Sequence, residues 1–133
     1  MTFIVASGPV IIENNKVLLN QHGKDNYWKF VGGRVENFDF SDWTNSLEEA
    51  AKREVKEEMG FEIEIIRPLK PMLVPKPNEK DVYVVLIHYL AKRIGEIKPG
   101  ADIRAWDWFD INNLPADCAP NIKPVIEEYL KTK

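Results

Sequence analysis

The chain has 133 residues, of which 44% are hydrophobic and 29% are charged, as in a single soluble globular domain spanning residues 1–133. Its 18 Lys and Arg residues against 21 Asp and Glu residues give a formal net charge of −3, which argues against stable binding to nucleic acid through bulk charge. Cys118 is the only cysteine, so a disulfide framework and a cysteine metal site are excluded. Without a signal peptide or a membrane-length apolar run, we expect a cytoplasmic protein that does not bind membranes.

The first quarter of the chain carries the patterns of β-strands. An apolar, β-branched run opens the chain, and the pair Gly8-Pro9 within it predicts a break or bulge. The pair Asn14-Asn15 predicts a tight turn into a returning strand. An aromatic run that leads into Gly32-Gly33 predicts a third strand. We therefore expect strands at residues 3–13, 16–21 and 27–31.

A helix is predicted from Ser46 to Met59. Ser46 followed by Glu49 is a capping-box pattern with Ser46 at the N-cap, and Gly60 is the glycine expected after the last helical residue. The order of strands, helix, strands and helix predicts an α/β domain with a mixed β-sheet. Beyond Gly60 we expect strands at residues 62–66, 72–74, 81–92 and 103–109, and a second helix at residues 122–131.

The predicted helix directs two carboxylates toward the core. At about 100° per residue, Val55 and Met59 lie on the apolar face, and Glu54 and Glu58 fall within the same arc. Glu57 lies on the flank of this apolar arc. Two ionised carboxylates on an inward face are costly to bury unless a positive charge meets them, and a divalent cation would satisfy both.

The surrounding residue types indicate phosphate chemistry. Oxygen ligands favour Mg²⁺, or Mn²⁺, over zinc. The pair Gly32-Gly33 ahead of the helix lets the backbone approach a ligand closely, and Arg53 lies one helical turn before Glu57, where it can hold that carboxylate by a charged hydrogen bond. A metal held in this way bridges phosphate oxygens and lowers the pKa of a bound water, so the pattern indicates attack by water on a diphosphate.

The segment from Gly33 to Phe61 resembles the signature of the Nudix (MutT-like) hydrolases, G-x5-E-x7-R-E-U-x-E-E-x-G-U, in which U is aliphatic. Phe61 stands in place of the final aliphatic residue. The resemblance implies the Nudix α/β/α sandwich, with a mixed β-sheet between helices, and a substrate in which a nucleoside diphosphate is linked to a group X. The other matching positions are Gly33, Arg53, Glu54, Val55, Glu57, Glu58 and Gly60.

The resemblance also implies the roles of individual residues. The Gly32 carbonyl, Glu54, Glu57 and Glu58 would be the ligands of Mg²⁺, or of Mn²⁺ in its place. Arg53 would orient these carboxylates, and one of the glutamates would position the attacking water. The catalytic candidates are therefore Arg53, Glu54 and Glu57.

Three residues are candidates for binding the substrate: Gly33, Trp28 and Asp102. An aromatic face such as that of Trp28 can stack on a base, although an aromatic residue in a short strand is more often part of the core. Asp102 lies where related chains often carry an acid that reaches the metal or the water, and a plain loop acid is the competing interpretation. Nucleotide sugars, ADP-ribose-like compounds and noncanonical nucleoside triphosphates all remain open as substrates, and a homodimer is one option for the assembly.

The chain departs from the signature ahead of the helix. Eleven residues, 34–44, stand where the signature has five, and the helix register then places Asn45 at the first acidic position. Val31 replaces the usual proline before the two glycines. A non-hydrolytic Nudix-like module that binds a nucleotide or a protein is therefore the alternative, although such modules usually lose the equivalent of Glu54 or Glu58.

Overall fold

The computed structural model describes all residues, 1–133, and shows seven strands and two α-helices. A short 3-10 turn, Asn37–Asp39, precedes the first helix. Neither helix is long and apolar enough to cross a membrane. The strands are β1 Thr2–Glu13, β2 Lys16–His22, β3 Gly33–Arg34, β4 Glu62–Pro68, β5 Met72–Pro75, β6 Val82–Ile94 and β7 Ile103–Asp110, and the helices are α1 Ser46–Met59 and α2 Ile122–Thr132.

The strands form one mixed sheet, as predicted. Its order is β4-β6-β1-β2-β7, with β3 added to β1 and β5 added to β6. The strands β1 and β6 are parallel, from Thr2 opposite Val82 to Ile11 opposite Ala91, and the other strand pairs are antiparallel. The long parallel pair lies in the middle of the sheet, where both faces can be covered.

Alternation along the central strands assigns one helix to each face of the sheet. In β1, Val10 packs in the cluster that contains α2, whereas the next residue, Ile11, packs in the cluster that contains α1. In β2, Leu19 faces α2 and Leu18 faces α1. Successive side chains of a strand point to opposite faces, so the sheet separates two apolar cores. The predicted α/β/α sandwich is confirmed.

The strand predicted at residues 27–31 is not formed. The strands β1 and β2 pair only beside their connecting turn, at Ile12 with Val17 and at Glu13 with Lys16. Farther along, the aromatic segment lies in the gap as isolated bridges, Lys29 with Asn20 and Trp28 with Cys118. The divergence of the two strands therefore leaves room for the segment that carries Gly32 and Gly33.

The predicted break at Gly8-Pro9 is also absent. The strand β1 keeps a continuous parallel register with β6 through Gly8 opposite His88 and Pro9 opposite Tyr89. Gly8 instead meets the backbone of Gly32 on its other side, where an added Cβ would lie 2.8 Å from the Gly32 Cα. The glycine therefore permits a close backbone approach rather than a bulge.

The start of α1 differs from the predicted capping box. Asn45 is the N-cap residue, and its side chain makes no capping hydrogen bond. The Ser46 Oγ accepts hydrogen bonds from the backbone N–H groups of Ser41 and Asp42 instead, at 2.9 and 3.2 Å. Asp42 Oδ1 in turn accepts from the backbone N–H of Asn45 at 2.6 Å, so the preceding loop stabilises the helix entrance. The C-terminal end agrees with the prediction, because Gly60 adopts a left-handed conformation with φ of 75°.

Candidate active site

The first feature of the site is the inward direction of two carboxylates on α1. The side chains of Glu54 and Glu58 are only 14% and 11% exposed, whereas that of Glu57 is 60% exposed. Val55 and Met59 on the same helix are fully buried. The predicted helical face is therefore confirmed, with Glu57 at its edge.

Glu58 has an unfavourable environment for a negative charge. Its Oε2 atom is buried without a hydrogen-bond partner, and the nearest basic side chain is that of His22, whose Nε2 lies 3.9 Å away. Burial, followed by the charge of Glu54, raises the pKa of the Glu58 carboxyl to about 8. An orphaned carboxylate oxygen beside a second carboxylate fits a cation, which would satisfy both groups.

The side chains alone do not complete a metal site. No three His, Cys, Asp or Glu side chains are grouped closely enough to hold a metal ion by themselves. Glu54 and Glu58 would therefore need further oxygen ligands, from the Gly32 carbonyl, from water or from a phosphate. This incomplete set suits Mg²⁺, which keeps several waters and binds through one or two carboxylates together with phosphate oxygens.

Arg53 connects the carboxylates of the site. Its Nη2 donates to Glu54 Oε1 and its Nη1 donates to Glu57 Oε2, each at 3.0 Å. The guanidinium also lies 4.7 Å from the centre of the Phe38 ring. The predicted contact between Arg53 and Glu57 is therefore present, and a second contact to Glu54 accompanies it.

Asp39 is the residue that the sequence interpretation missed. It is buried and accepts hydrogen bonds from Arg53 Nε at 2.5 Å and from Arg53 Nη2 at 2.8 Å. Hydrogen bonding from Arg53 is the main reason why the pKa of Asp39 is lowered. Asp39 thus provides a carboxylate ahead of the helix, although it comes from the segment interpreted as an insertion.

The position of Asp39 corrects the alignment with the signature. Five residues, 34–38, separate Gly33 from Asp39, as in G-x5-E with Asp in place of Glu. The extra residues lie after this acid, where 40–52 separate Asp39 from Arg53 in place of seven. Asn45 is not at the acidic position, since its side chain binds Asp42 at the helix entrance at 3.0 Å. Counting from Gly33 and accepting Asp for Glu would have found this residue.

The two glycines meet different neighbours. A Cβ added to Gly33 would lie 2.5 Å from Glu54 Oε2, so the glycine makes room for the carboxylate. Gly32 has a φ of 146°, and a Cβ there would lie 2.8 Å from the Gly8 Cα. Gly33 is therefore required by the site, whereas Gly32 is required by the backbone.

Two cavities meet at these glycines and share Lys29, Gly32 and Gly33. The acidic cavity, of about 360 Å³, is lined by Glu54, Glu57, Glu58, His22, Arg34 and Asp102 among others. Asp102 is held there because its carbonyl accepts from the Gly23 N–H at 2.8 Å. The structure therefore brings together all predicted site residues except Trp28.

Trp28 is placed in the core instead of against a ligand. Its ring packs edge-on against Phe109, with ring centres 4.7 Å apart, and against the α2 cluster. Trp28 lines neither cavity, whereas its neighbour Tyr27 lines the second one. The bridge between Trp28 and Cys118 accompanies this packing, which favours the core interpretation of Trp28 over the stacking role.

The second cavity, of about 510 Å³, is more apolar and lies on the α2 side of the glycines. Its wall contains a buried polar pair that the sequence did not reveal. His88 Nδ1 lies 2.8 Å from the Lys70 carbonyl, so Nδ1 carries the proton, and Asn121 Nδ2 donates to His88 Nε2 at 2.9 Å. Burial lowers the pKa of His88, which keeps the ring neutral and fixes the Asn121 amide. We refer to this space as the apolar cavity.

Comparisons with known proteins agree with this geometry. The NUDIX domain family matches residues 3–129. The chain is 32% identical over 134 aligned positions to an ADP-ribose pyrophosphatase of Methanocaldococcus jannaschii, covering 97% of this chain and 74% of that protein. A MutT NUDIX hydrolase of Burkholderia pseudomallei is similar in structure, with a TM-score of 0.79, 25% identity and coverage of 96% and 98%. An ADP-ribose pyrophosphatase of Streptococcus suis is also similar, with a TM-score of 0.61, 26% identity and coverage of 96% and 87%. With the family's fold and the carboxylates of its signature in place, the chain belongs to the Nudix family of hydrolases.

Proposed function

We propose that the protein hydrolyses the pyrophosphate bond of an ADP-ribose-type nucleoside diphosphate with the help of Mg²⁺, for which Mn²⁺ can substitute. The observation that carries this proposal is the shared wall of the two cavities. A diphosphate lying on Gly32 and Gly33 would face the carboxylates of the acidic cavity, and its nucleoside would extend into the apolar cavity. The two cavities therefore fit the two ends of such a substrate.

The residues in and beside the acidic cavity would have different roles in the reaction. Glu54, Glu58 and the Gly32 carbonyl would hold the cation, with Glu57 as an added ligand at the edge. When bound, the cation neutralises charge on the phosphate oxygens and lowers the pKa of the attacking water. Glu54 or Glu57 accepts the proton of that water. Arg53 contacts carboxylates rather than substrate, so it is a positioning residue.

Positive side chains at the same wall suit a diphosphate. Lys29 lines both cavities, and Arg34 lines the acidic one. Asp102 also lines the acidic cavity, where it can orient a bound water. Water adds to one phosphorus and the other phosphate leaves, so ADP-ribose would yield AMP and ribose 5-phosphate.

The Asn121 amide offers a hydrogen-bond contact for the base of the proposed substrate. With Nδ2 turned to His88, its Oδ1 is available as an acceptor for a base amino group. Tyr27, in the same wall, offers an aromatic face. The similarity to an ADP-ribose pyrophosphatase favours adenine and a ribosyl group X over nucleotide sugars and noncanonical nucleoside triphosphates.

The test is product release from ADP-ribose, a UDP-sugar and a purine nucleoside triphosphate, each with Mg²⁺ and with chelator. We expect turnover of ADP-ribose that is lost with chelator and falls by at least about a hundredfold in Glu58→Gln. Glu49→Gln, on the exposed face of the same helix, is the matched control and should retain activity. Turnover that survives chelator would contradict the assigned site.

The alternative function, a non-hydrolytic Nudix-like module that binds a nucleotide or a protein, is less favoured. That interpretation depended on Asn45 at an acidic position and on the long insertion, whereas the five-residue spacing from Gly33 to Asp39 and the contact of Asp39 with Arg53 favour Asp39 as the acid. A cytoplasmic location and a homodimer stay predictions.

A further inference from the structure

Only three buried side-chain polar atoms in the whole protein lack a hydrogen-bond partner, and they belong to two residues. They are Nδ2 and Oδ1 of Asn20 and Oε2 of Glu58. Asn20 is fully buried, in a strand whose preceding residues Val17, Leu18 and Leu19 are apolar core. A buried amide without partners destabilises a fold, so an apolar residue at position 20 would favour the folded state.

The sheet places Asn20 on the face that carries Glu58. Leu18, two residues earlier on β2, packs in the α1 cluster with Val55 and Met59, and side chains two residues apart share a face. Asn20 also forms an antiparallel bridge with Lys29, which lines the acidic cavity. Directly bridged residues of antiparallel strands present their side chains to the same face.

Glu58 reaches the same end of β2 from the helix. Its orphaned Oε2 lies 3.9 Å from Nε2 of His22, two residues beyond Asn20. Lys29, the bridge partner of Asn20, lines the acidic cavity together with Glu58. Asn20 and Glu58 therefore have two neighbours in common. His22 lies two residues from Asn20 on β2 and contacts Glu58, and Lys29 bridges Asn20 and lines the acidic cavity with Glu58.

We propose that Asn20 is a positioning residue of the metal site: in the metal-bound protein its Nδ2 donates to the Glu58 carboxylate, a hydrogen bond that this structure does not make, and holds that carboxylate in its metal-binding orientation. In the metal-bound site the amide would supply the donor that Glu58 Oε2 lacks here and would leave the second carboxylate oxygen for the cation. Asn20 would then hold the Glu58 carboxylate by a hydrogen bond, as Arg53 holds the Glu54 carboxylate. The inference rests on the proposed metal site but concerns a residue outside the family signature.

The first test is the affinity of the metal-free protein for Mn²⁺, measured by isothermal titration calorimetry without nucleotide. Asn20→Leu should weaken Mn²⁺ binding about tenfold, the equivalent of one hydrogen bond to a charged group. The same variant should be at least as stable as the wild type in chelator, because the unpartnered amide is gone. Gln21→Leu, the next residue on the same strand, is the control and should bind Mn²⁺ normally, since its side chain points to the other face and bonds Arg104.

The isosteric pair Asn20→Thr and Asn20→Val separates the hydrogen bond from packing. The threonine hydroxyl can donate and the valine methyl cannot, so Thr should bind Mn²⁺ more tightly than Val. Wild-type affinity in Asn20→Leu and Asn20→Val, or an equal loss in Thr and Val, would overturn the proposal. If the wild type and Glu58→Gln bind Mn²⁺ alike, the failure lies in the proposed metal site itself.

Discussion

Arg53 binds the buried Asp39 through two parallel hydrogen bonds, from Nε to Oδ1 and from Nη2 to Oδ2. This bidentate contact fixes the plane of the guanidinium, and the same guanidinium donates to Glu54 and Glu57. Asp39 therefore determines indirectly where two of the site's carboxylates lie, although it lines neither cavity.

Replacing Asp39 by Asn should disturb both the fold and the site. We expect the free energy of unfolding to fall by roughly 1–3 kcal/mol, because Arg53 loses a charged acceptor. We also expect kcat to fall while the KM for nucleotide changes little, since Asp39 lines neither cavity. Urea unfolding and steady-state kinetics measure the two effects. Asp39→Glu keeps the ion pair and should recover most of the rate, and full activity in Asp39→Asn would contradict the role of the contact.

The two glycines should respond differently to alanine. In Gly33→Ala the new Cβ would displace the Glu54 carboxylate, so kcat/KM should fall about a hundredfold while the protein stays folded. In Gly32→Ala the new Cβ would meet the backbone of β1, so the main loss should be in stability. Thermal unfolding and kinetics of both variants check this contrast. Equal stability losses in the two would show that Gly33 has a backbone role instead.

Glu58→Gln should stabilise the metal-free protein at alkaline pH. The wild-type carboxyl has a pKa raised to about 8, so it becomes charged above that pH in a site that disfavours the charge. We expect a gain of about 1 kcal/mol or more at pH 9 in chelator. Mn²⁺ should raise the melting temperature of the wild type but not of the variant. A variant less stable than the wild type in chelator would argue against charge repulsion at this site.

The free energy of unfolding should depend on pH through His88, which lies in the wall of the apolar cavity. Burial lowers the pKa of His88, so below the unfolded value of about 6.5 the unfolded chain binds more protons than the folded one. The contribution of His88 to the free energy of unfolding therefore falls as pH decreases from about 7 to 5. Glu58 acts in the opposite direction over this range, because its pKa is raised.

The difference between the wild type and His88→Gln isolates the histidine. The variant should lose less stability than the wild type between pH 7 and pH 5 in urea unfolding. Parallel pH profiles for the wild type and His88→Gln would disprove the assignment.

Asn121→Leu should affect substrate binding more than the chemical step. The change removes the amide acceptor of a residue that lines the apolar cavity, so the KM for ADP-ribose should rise about tenfold with kcat nearly unchanged. Asn113→Leu, in an exposed turn, makes the same chemical change outside both cavities and should leave KM unaltered. A fall in kcat alone would place the base elsewhere.

The sequence predicted the layers, the helix α1 and its inward carboxylates, because each depends on a local period of apolar residues. It failed where the outcome depends on distant partners. The β propensity of residues 27–31 is high, but the gap between β1 and β2 allows only single bridges there. Asp39 was missed because the signature fixes spacing, and only the contact with Arg53 shows on which side of the acid the extra residues lie.

The wall shared by the two cavities also bears on how the reaction would end. Cleavage of a diphosphate at Gly32 and Gly33 would leave the nucleotide product beside Asn121 and the other phosphate product beside the carboxylates of α1. Neither product would have to pass the other to escape. We therefore expect release in no fixed order, with each product inhibiting competitively from its own side of the glycines.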